Sequence, residues 1–257
     1  MLRLNVGNAS PALAKWLKKQ SQLTELCLYY QSISPEVVPA IAGLKGLKSL
    51  ELMGLSAEEL AGTNVSVSKS VVQTTYTTAS APDLKFPQLK RLRIATGSML
   101  GSEEVLHQML QSPALTEVQL SQVELTDRLV ADLCALKSLT ALDLSRQSIS
   151  LPHLRRVTSL PQVVSLNLQG STFEDGAVDL LKTCKQLKIL NMRWTNLSPE
   201  SVKAICRPGL SLLADQAGVR VMMVQQGGKT VIREEPITES WDENPPGDVS
   251  DGTVAQE

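Results

Sequence analysis

The feature that most constrains this chain is a short apolar template, L-x-x-L-x-L, that returns at a nearly fixed interval. It occurs at Leu23, Leu26 and Leu28, at Leu47, Leu50 and Leu52, at Leu89, Leu92 and Ile94, and at Leu115, Val118 and Leu120. It continues at Leu139, Leu142 and Leu144, at Val163, Leu166 and Leu168, and at Leu187, Leu190 and Met192. Successive starts lie 24, 42, 26, 24, 24 and 24 residues apart. Extrapolating one period upstream of Leu23 predicts apolar residues at 2 and 4, where Leu2 and Leu4 stand. A period of this length means a repeat architecture, in which each unit buries its apolar face only against its neighbours. The composition follows from it: the 257 residues include 41 leucines, none after Leu213.

Each unit continues in the same way. An apolar residue stands ten positions after the start in most units, at Ile33, Leu125, Ile149, Phe173 and Leu197. A polar residue suited to opening a helix follows. Ser34 and Ser198 precede Pro35 and Pro199, which predicts serine N-caps with proline in the first turn. Ser56 with Glu59 forms a capping-box pattern, and Asp127 follows Thr126, placing an acid at a helix start. Leu129, Leu133 and Leu136 then recur at helical spacing. The unit therefore reads as a short strand, a turn, a helix and a return.

These motifs resemble the leucine-rich-repeat family, in particular its longer bacterial and ribonuclease-inhibitor-like units of 24 residues. The resemblance covers roughly residues 1–210. It implies an α/β fold, a right-handed solenoid with a parallel sheet on the concave side and helices on the convex side. One departure stands out. The family usually carries Asn or Cys eight positions after the start, bonded to neighbouring backbone. Here that position holds Gln31, Leu55, Gly97, Val123, Gln147, Ser171 and Thr195. The ladder reads as degenerate, and a less regular sheet is expected.

The organisation expected is a solenoid over 1–224, interrupted by an insertion at about 62–84. Residues 225–257 would follow as a capping hairpin strand and a disordered acidic tail. The 42-residue spacing locates the insertion. Eight acidic and two basic residues after position 224 set the tail apart from a mildly basic body. No capping unit precedes Leu2, so the first strand should leave an edge that a partner or a second copy covers, or the chain is expected to be part of a longer parent.

Little in the chain points to catalysis. The net charge is −1, which argues against a global field for nucleic acid or membrane. Both are expected to be absent as partners. No run approaches 18 apolar residues. Cys27, Cys134, Cys184 and Cys206 form no CxxC pair, and they suggest reduced thiols in a cytoplasmic compartment. His107 and His153 are the only histidines, and both fall in convex segments, away from Cys27. No metal-spaced cluster or cofactor motif emerges, so no metal and no cofactor are expected. Gly227, Gly228, Lys229 and Thr230 resemble the end of a phosphate loop, but Met223 stands where its first glycine is needed and no helix pattern follows.

The expected function therefore rests on the concave face. Strand side chains alternate, so residues two, four and six after each start point outward and the seventh lies at the rim. Tyr29 and Tyr30 fall at one end and Arg193 and Trp194 at the other, residue types that anchor interfaces. Arg91, Arg93, Asp143 and Arg146 would set polarity between them. The expectation is a non-enzymatic scaffold binding a protein partner on this sheet. The alternatives are a recognition segment of a larger enzyme or signalling protein, or a structural protein that self-associates through the N-terminal edge.

Overall fold

The computed structural model describes residues 1–34, 36–54, 84–95, 103–216, 219–226 and 229–236. The insertion up to residue 83, the capping box at Ser56, the glycine pair at 227–228 and the tail from 237 lie outside the described residues. The chain begins with β1 (Leu2–Ala9), α1 (Pro11–Leu17), β2 (Glu25–Ile33), α2 (Val37–Ala42), β3 (Ser49–Gly54) and β4 (Arg91–Ala95). It proceeds through α3 (Glu103–Leu110), β5 (Glu117–Ser121), α4 (Asp127–Ala135), β6 (Ala141–Asp143), β7 (Ser148–Ile149) and α5 (Leu151–Thr158). Then come β8 (Ser165–Asn167), β9 (Thr172–Phe173), α6 (Ala177–Thr183), β10 (Ile189–Asn191) and α7 (Pro199–Ile205). It closes with β11 (Ser211–Gln216), β12 (Val219–Gln226) and β13 (Lys229–Pro236).

One eleven-stranded sheet runs in the order β1-β2-β3-β4-β5-β6-β8-β10-β11-β12-β13. From β1 to β11 every pairing is parallel, and β11, β12 and β13 then turn antiparallel. A second, two-stranded parallel sheet joins β7 to β9. The template leucines pair with one another from strand to strand, as Leu26 with Leu50, Leu50 with Leu92, and Leu142 with Leu166. All of them point into one continuous core, at 0–2% exposure for Leu28, Leu52, Leu92, Leu120, Leu144 and Leu168. The fold is a right-handed leucine-rich-repeat solenoid. β12 continues through position 224, so the hairpin and the repeats share one sheet across the expected boundary.

Strand length changes along the solenoid. β2 has nine residues, whereas β6, β8 and β10 have three each. The short strands end where a side chain intercepts the backbone. Asp143 Oδ1 accepts from the Ser145 N–H at 2.8 Å, Asn167 from Gln169 at 3.1 Å and Asn191 from Arg193 at 3.2 Å. Such Asx turns offer the chain a local alternative to the sheet. Three residues further on, Arg146, Gly170 and Trp194 take φ of 58°, 66° and 58°.

This difference corrects one expectation. Tyr30 stands seven positions after its repeat start, as Trp194 does. In β2 the strand simply continues, so alternation carries Tyr30 inward behind Leu26 and Leu28, where it is 1% exposed. It is a core residue, not a rim anchor.

Eight positions after the start, three repeats bond backbone with other side chains. Ser171 is fully buried; its hydroxyl donates to the Leu144 carbonyl at 2.8 Å and accepts from the Gln147 N–H at 3.2 Å. The Gln147 amide donates to the Leu120 carbonyl, and Thr195 donates to Met192 at 3.2 Å. At these three positions the residue type departs from the family, but a side chain still meets backbone.

Helix starts follow the caps in part. Thr126, Ser150 and Ser198 accept from the N–H groups of Leu129, His153 and Ser201. Ser34 does not cap: α2 begins after Glu36, and the Ser34 hydroxyl donates to the Glu36 carboxylate.

Candidate functional site on the concave sheet

Register fixes which side chains share the concave face. One row runs Arg3, Cys27, Glu51, Arg93, Gln119, Asp143, Asn167 and Asn191. A second runs Glu25, Ser49, Arg91, Glu117, Ala141, Ser165 and Ile189, and a third Asn5, Tyr29, Met53, Ala95 and Ser121. Between β1 and β5 these rows enclose a shallow depression of about 260 Å³. Its walls carry three arginines, Arg3, Arg91 and Arg93, and three glutamates, Glu25, Glu51 and Glu117.

The charges in this depression are not equally engaged. Arg91 reaches across Ser49 to Glu25, with N and O 3.0 Å apart. Glu117 accepts from the Gln119 amide at 2.7 Å. Arg93 is half-buried between Glu51 and Gln119, and its side chain has no hydrogen bond or ion pair among the described residues. Cys27 is fully covered although it lies on this face. Burial first, then the hydrogen bond and charge of Glu51, push its thiol up to about 11. Tyr29 beside it is half-buried, and burial followed by Cys27 raises its phenol.

The other end of the sheet is internally satisfied. Asn167 donates to Asp143 at 2.8 Å, and Asn191 to Gln169 at 3.1 Å. Arg193 holds Asp215 at 2.7 Å and stacks over Trp194, 4.6 Å from the ring centre. Arg220 grips the other oxygen of Asp215 at 2.9 Å. Arg146 is exposed in the turn after β6. The sequence-derived residues therefore form two groups: Tyr29, Arg91 and Arg93 at one end, Arg193 and Trp194 at the other, with Asp143 and Arg146 between. Tyr29 and Trp194 lie six strand steps apart, about 29 Å along the sheet at the usual spacing.

The strand-capping use of Asp143, Asn167 and Asn191, and the buried Asp215, escaped the sequence reading. An Asp or Asn four positions after three successive starts was the available signal.

On the convex side, both histidines tie neighbouring helices together. His107 meets Asp132 at 2.7 Å and His153 meets Asp127 at 3.2 Å. Among the described residues no group of three or more His, Cys, Asp or Glu could hold a metal, and no helix is long and apolar enough to cross a membrane.

No family model and no curated protein sequence matches the chain. Solved structures do. An internalin from Listeria monocytogenes is 16% identical, covering 76% of this chain and 62% of its own, with a TM-score of 0.42. The leucine-rich-repeat ectodomain of a plant membrane receptor kinase from Arabidopsis thaliana is 18% identical over 83% of this chain and 24% of its own, at 0.45. A plant peptide hormone receptor is 13% identical over 84% and 34%, at 0.40. The chain thus spans less than two thirds of each. The cytoplasmic expectation does not stand: two of these similar structures are plant receptors, one of them described as an ectodomain. Nor do the cysteines mark a compartment, since burial alone raises the thiols of Cys134, Cys184 and Cys206.

Proposed function

We propose that the chain is a non-enzymatic protein-interaction scaffold that binds a protein partner on its concave sheet. The observation that carries this reading is Arg93, a half-buried guanidinium that lines the β1–β5 depression and has no ion pair among the described residues. A planar guanidinium in this setting suits a carboxylate from a partner, held bidentately. Tyr29 and Met53 supply adjoining apolar surface, and Arg91 and Glu25 a charged border. Arg193 and Trp194 form a second contact about 29 Å away. A small molecule cannot bridge that distance; a protein face, or about nine residues of extended chain, can. Tyr30 is removed from the contact set by its burial.

Affinity capture from native extract tests the reading. The wild-type chain is compared with Tyr29→Ala/Arg93→Glu and, separately, with Trp194→Ala, each checked for folding by circular dichroism. A partner retained by wild type and lost by the folded double variant is the expected result. Equal capture by all three chains removes recognition from the concave face.

A further inference from the structure

A net charge of −1 conceals a separation of charge between the two sides of the solenoid. The strands are parallel and in register, so their starts lie level on one side and their ends on the other. The segments that lead into strands are 18–24, 43–48, 84–90, 111–116, 136–140, 159–164, 184–188 and 206–210. Together they hold nine lysines and one arginine, and no Asp or Glu. All nine lysines are exposed. The backbone ladder shows how closely they stand: the Lys90 N–H donates to the Lys48 carbonyl at 2.8 Å, and Thr116 and Ser211 donate to Lys90 and Lys188 in turn. Adjacent rungs are about 4.8 Å apart.

The opposite side, where helices begin, is acidic, and several of its carboxylates are paired. Glu104 pairs with Arg128, Asp127 with His153 and Arg156, and Asp179 with Lys182. Glu36 and Glu104 are held below the usual carboxylate range by hydrogen bonds from Ser34 and Arg128. By contrast, Lys18, Lys19, Lys45, Lys48, Lys137 and Lys188 make no ion pair among the described residues.

We propose that this basic side docks on an anionic lipid surface. Level strand starts place these lysines along one side of the solenoid, where a single extended surface can meet them together. Lysines act as point charges that favour diffuse anionic surfaces over bidentate recognition. Trp16 decides between a bilayer and a soluble polyanion. It is a large indole, 41% exposed near the end of α1, with Lys15, Lys18 and Lys19 around it. Tryptophan with flanking lysine is the chemistry of the membrane–water interface. The inference concerns a different face from the concave site and does not rest on it.

The test is co-sedimentation of the full chain with phosphatidylcholine vesicles, with and without about one third phosphatidylserine, at physiological salt. The variants are Lys45→Glu/Lys48→Glu/Lys188→Glu and Trp16→Ala. These are exposed side chains, and each variant is checked by its unfolding midpoint. Binding only to phosphatidylserine vesicles is expected, lost at least about tenfold in the triple variant and reduced in Trp16→Ala. Quenching of Trp16 fluorescence by brominated lipid should accompany it. Absence of binding to phosphatidylserine vesicles overturns the proposal. So does equal binding by the triple variant, or lysine-dependent binding to heparin or RNA without vesicle binding.

Discussion

At the scale of single residues, the chain is held by a few buried polar groups whose partners arrive from other strands. Asp215 is the clearest. Its side chain is 1% exposed, while the arginines it joins, Arg193 and Arg220, are 21% and 29% exposed. The carboxylate is desolvated, and the guanidiniums recover part of their charge stabilisation from water. Removing one partner of a fully buried pair costs about 3–5 kcal/mol, and the partial exposure lowers this. Asp215→Ala should destabilise by about 2–4 kcal/mol, read from the urea midpoint at unchanged slope. Loss of less than half a unit of midpoint would mean that the arginines find other acceptors. Cys27 gives a pH signature. Its thiol sits near 11 in the fold against an ordinary 9.0. The protonated form is favoured by folding, so this stability is fully present below about pH 9 and is lost as pH rises toward 11. Cys27→Ala should lack that loss. The stability difference between wild type and variant should therefore shrink across this window in paired melts, and a constant difference would contradict the burial described.

At the scale of elements, the period was legible because leucine spacing reports directly on burial. Seven template matches place the strands that pair in register. Strand length was not legible in the same way. The seventh position holds Tyr30 in one repeat and Trp194 in another, and only the Asx turn at Asn191 separates their fates. The turn depends on a hydrogen bond between an amide side chain and a backbone group two residues on, which periodicity does not report. The bonding at Gln147 and Ser171 was not legible for a related reason. Looking for Asn or Cys identifies a residue type, whereas the backbone needs only a donor of suitable reach. The Ser171 hydroxyl and the Gln147 amide supply it from different lengths. Ser171→Ala should cost about 1–3 kcal/mol, because it leaves the Leu144 carbonyl and the Gln147 N–H buried without that partner. Ser171→Cys, which keeps a weak donor, should recover part of it in the same denaturation series. If both variants unfold like wild type, another donor serves these groups. The concave charges were legible as a list, but their pairing was not. Arg91 and Arg93 are two residues apart in sequence, yet Arg91 pairs with Glu25 two strands away, while Arg93 makes no ion pair with Glu51 on the neighbouring strand.

At the scale of the whole molecule, burial does not follow strand length. In a solenoid each repeat is stabilised by its neighbours, so an end repeat has one interface where an inner repeat has two. The end strands are long: β1 and β13 have eight residues each. Yet Leu2, Leu4 and Val6 of β1 are only partly buried, and Val231 and Ile232 of β13 are 37% and 42% exposed. The three-residue strands β6 and β8 lie between neighbours on both sides, with Leu142, Leu144, Leu166 and Leu168 at 0–2% exposure. Local opening follows buried contacts rather than the number of ladder bonds in a strand. Amide exchange should therefore be fastest in β1 and β13 and slowest in β5, β6 and β8, despite their length. The measurement is hydrogen–deuterium exchange resolved to peptides covering 2–9, 117–121, 141–143, 165–167 and 229–236. Protection of β1 equal to that of β6 would mean that its open edge is covered in solution. Dilution then decides what covers it. Protection that falls with concentration is the mark of a second copy on that edge, because only association is governed by mass action.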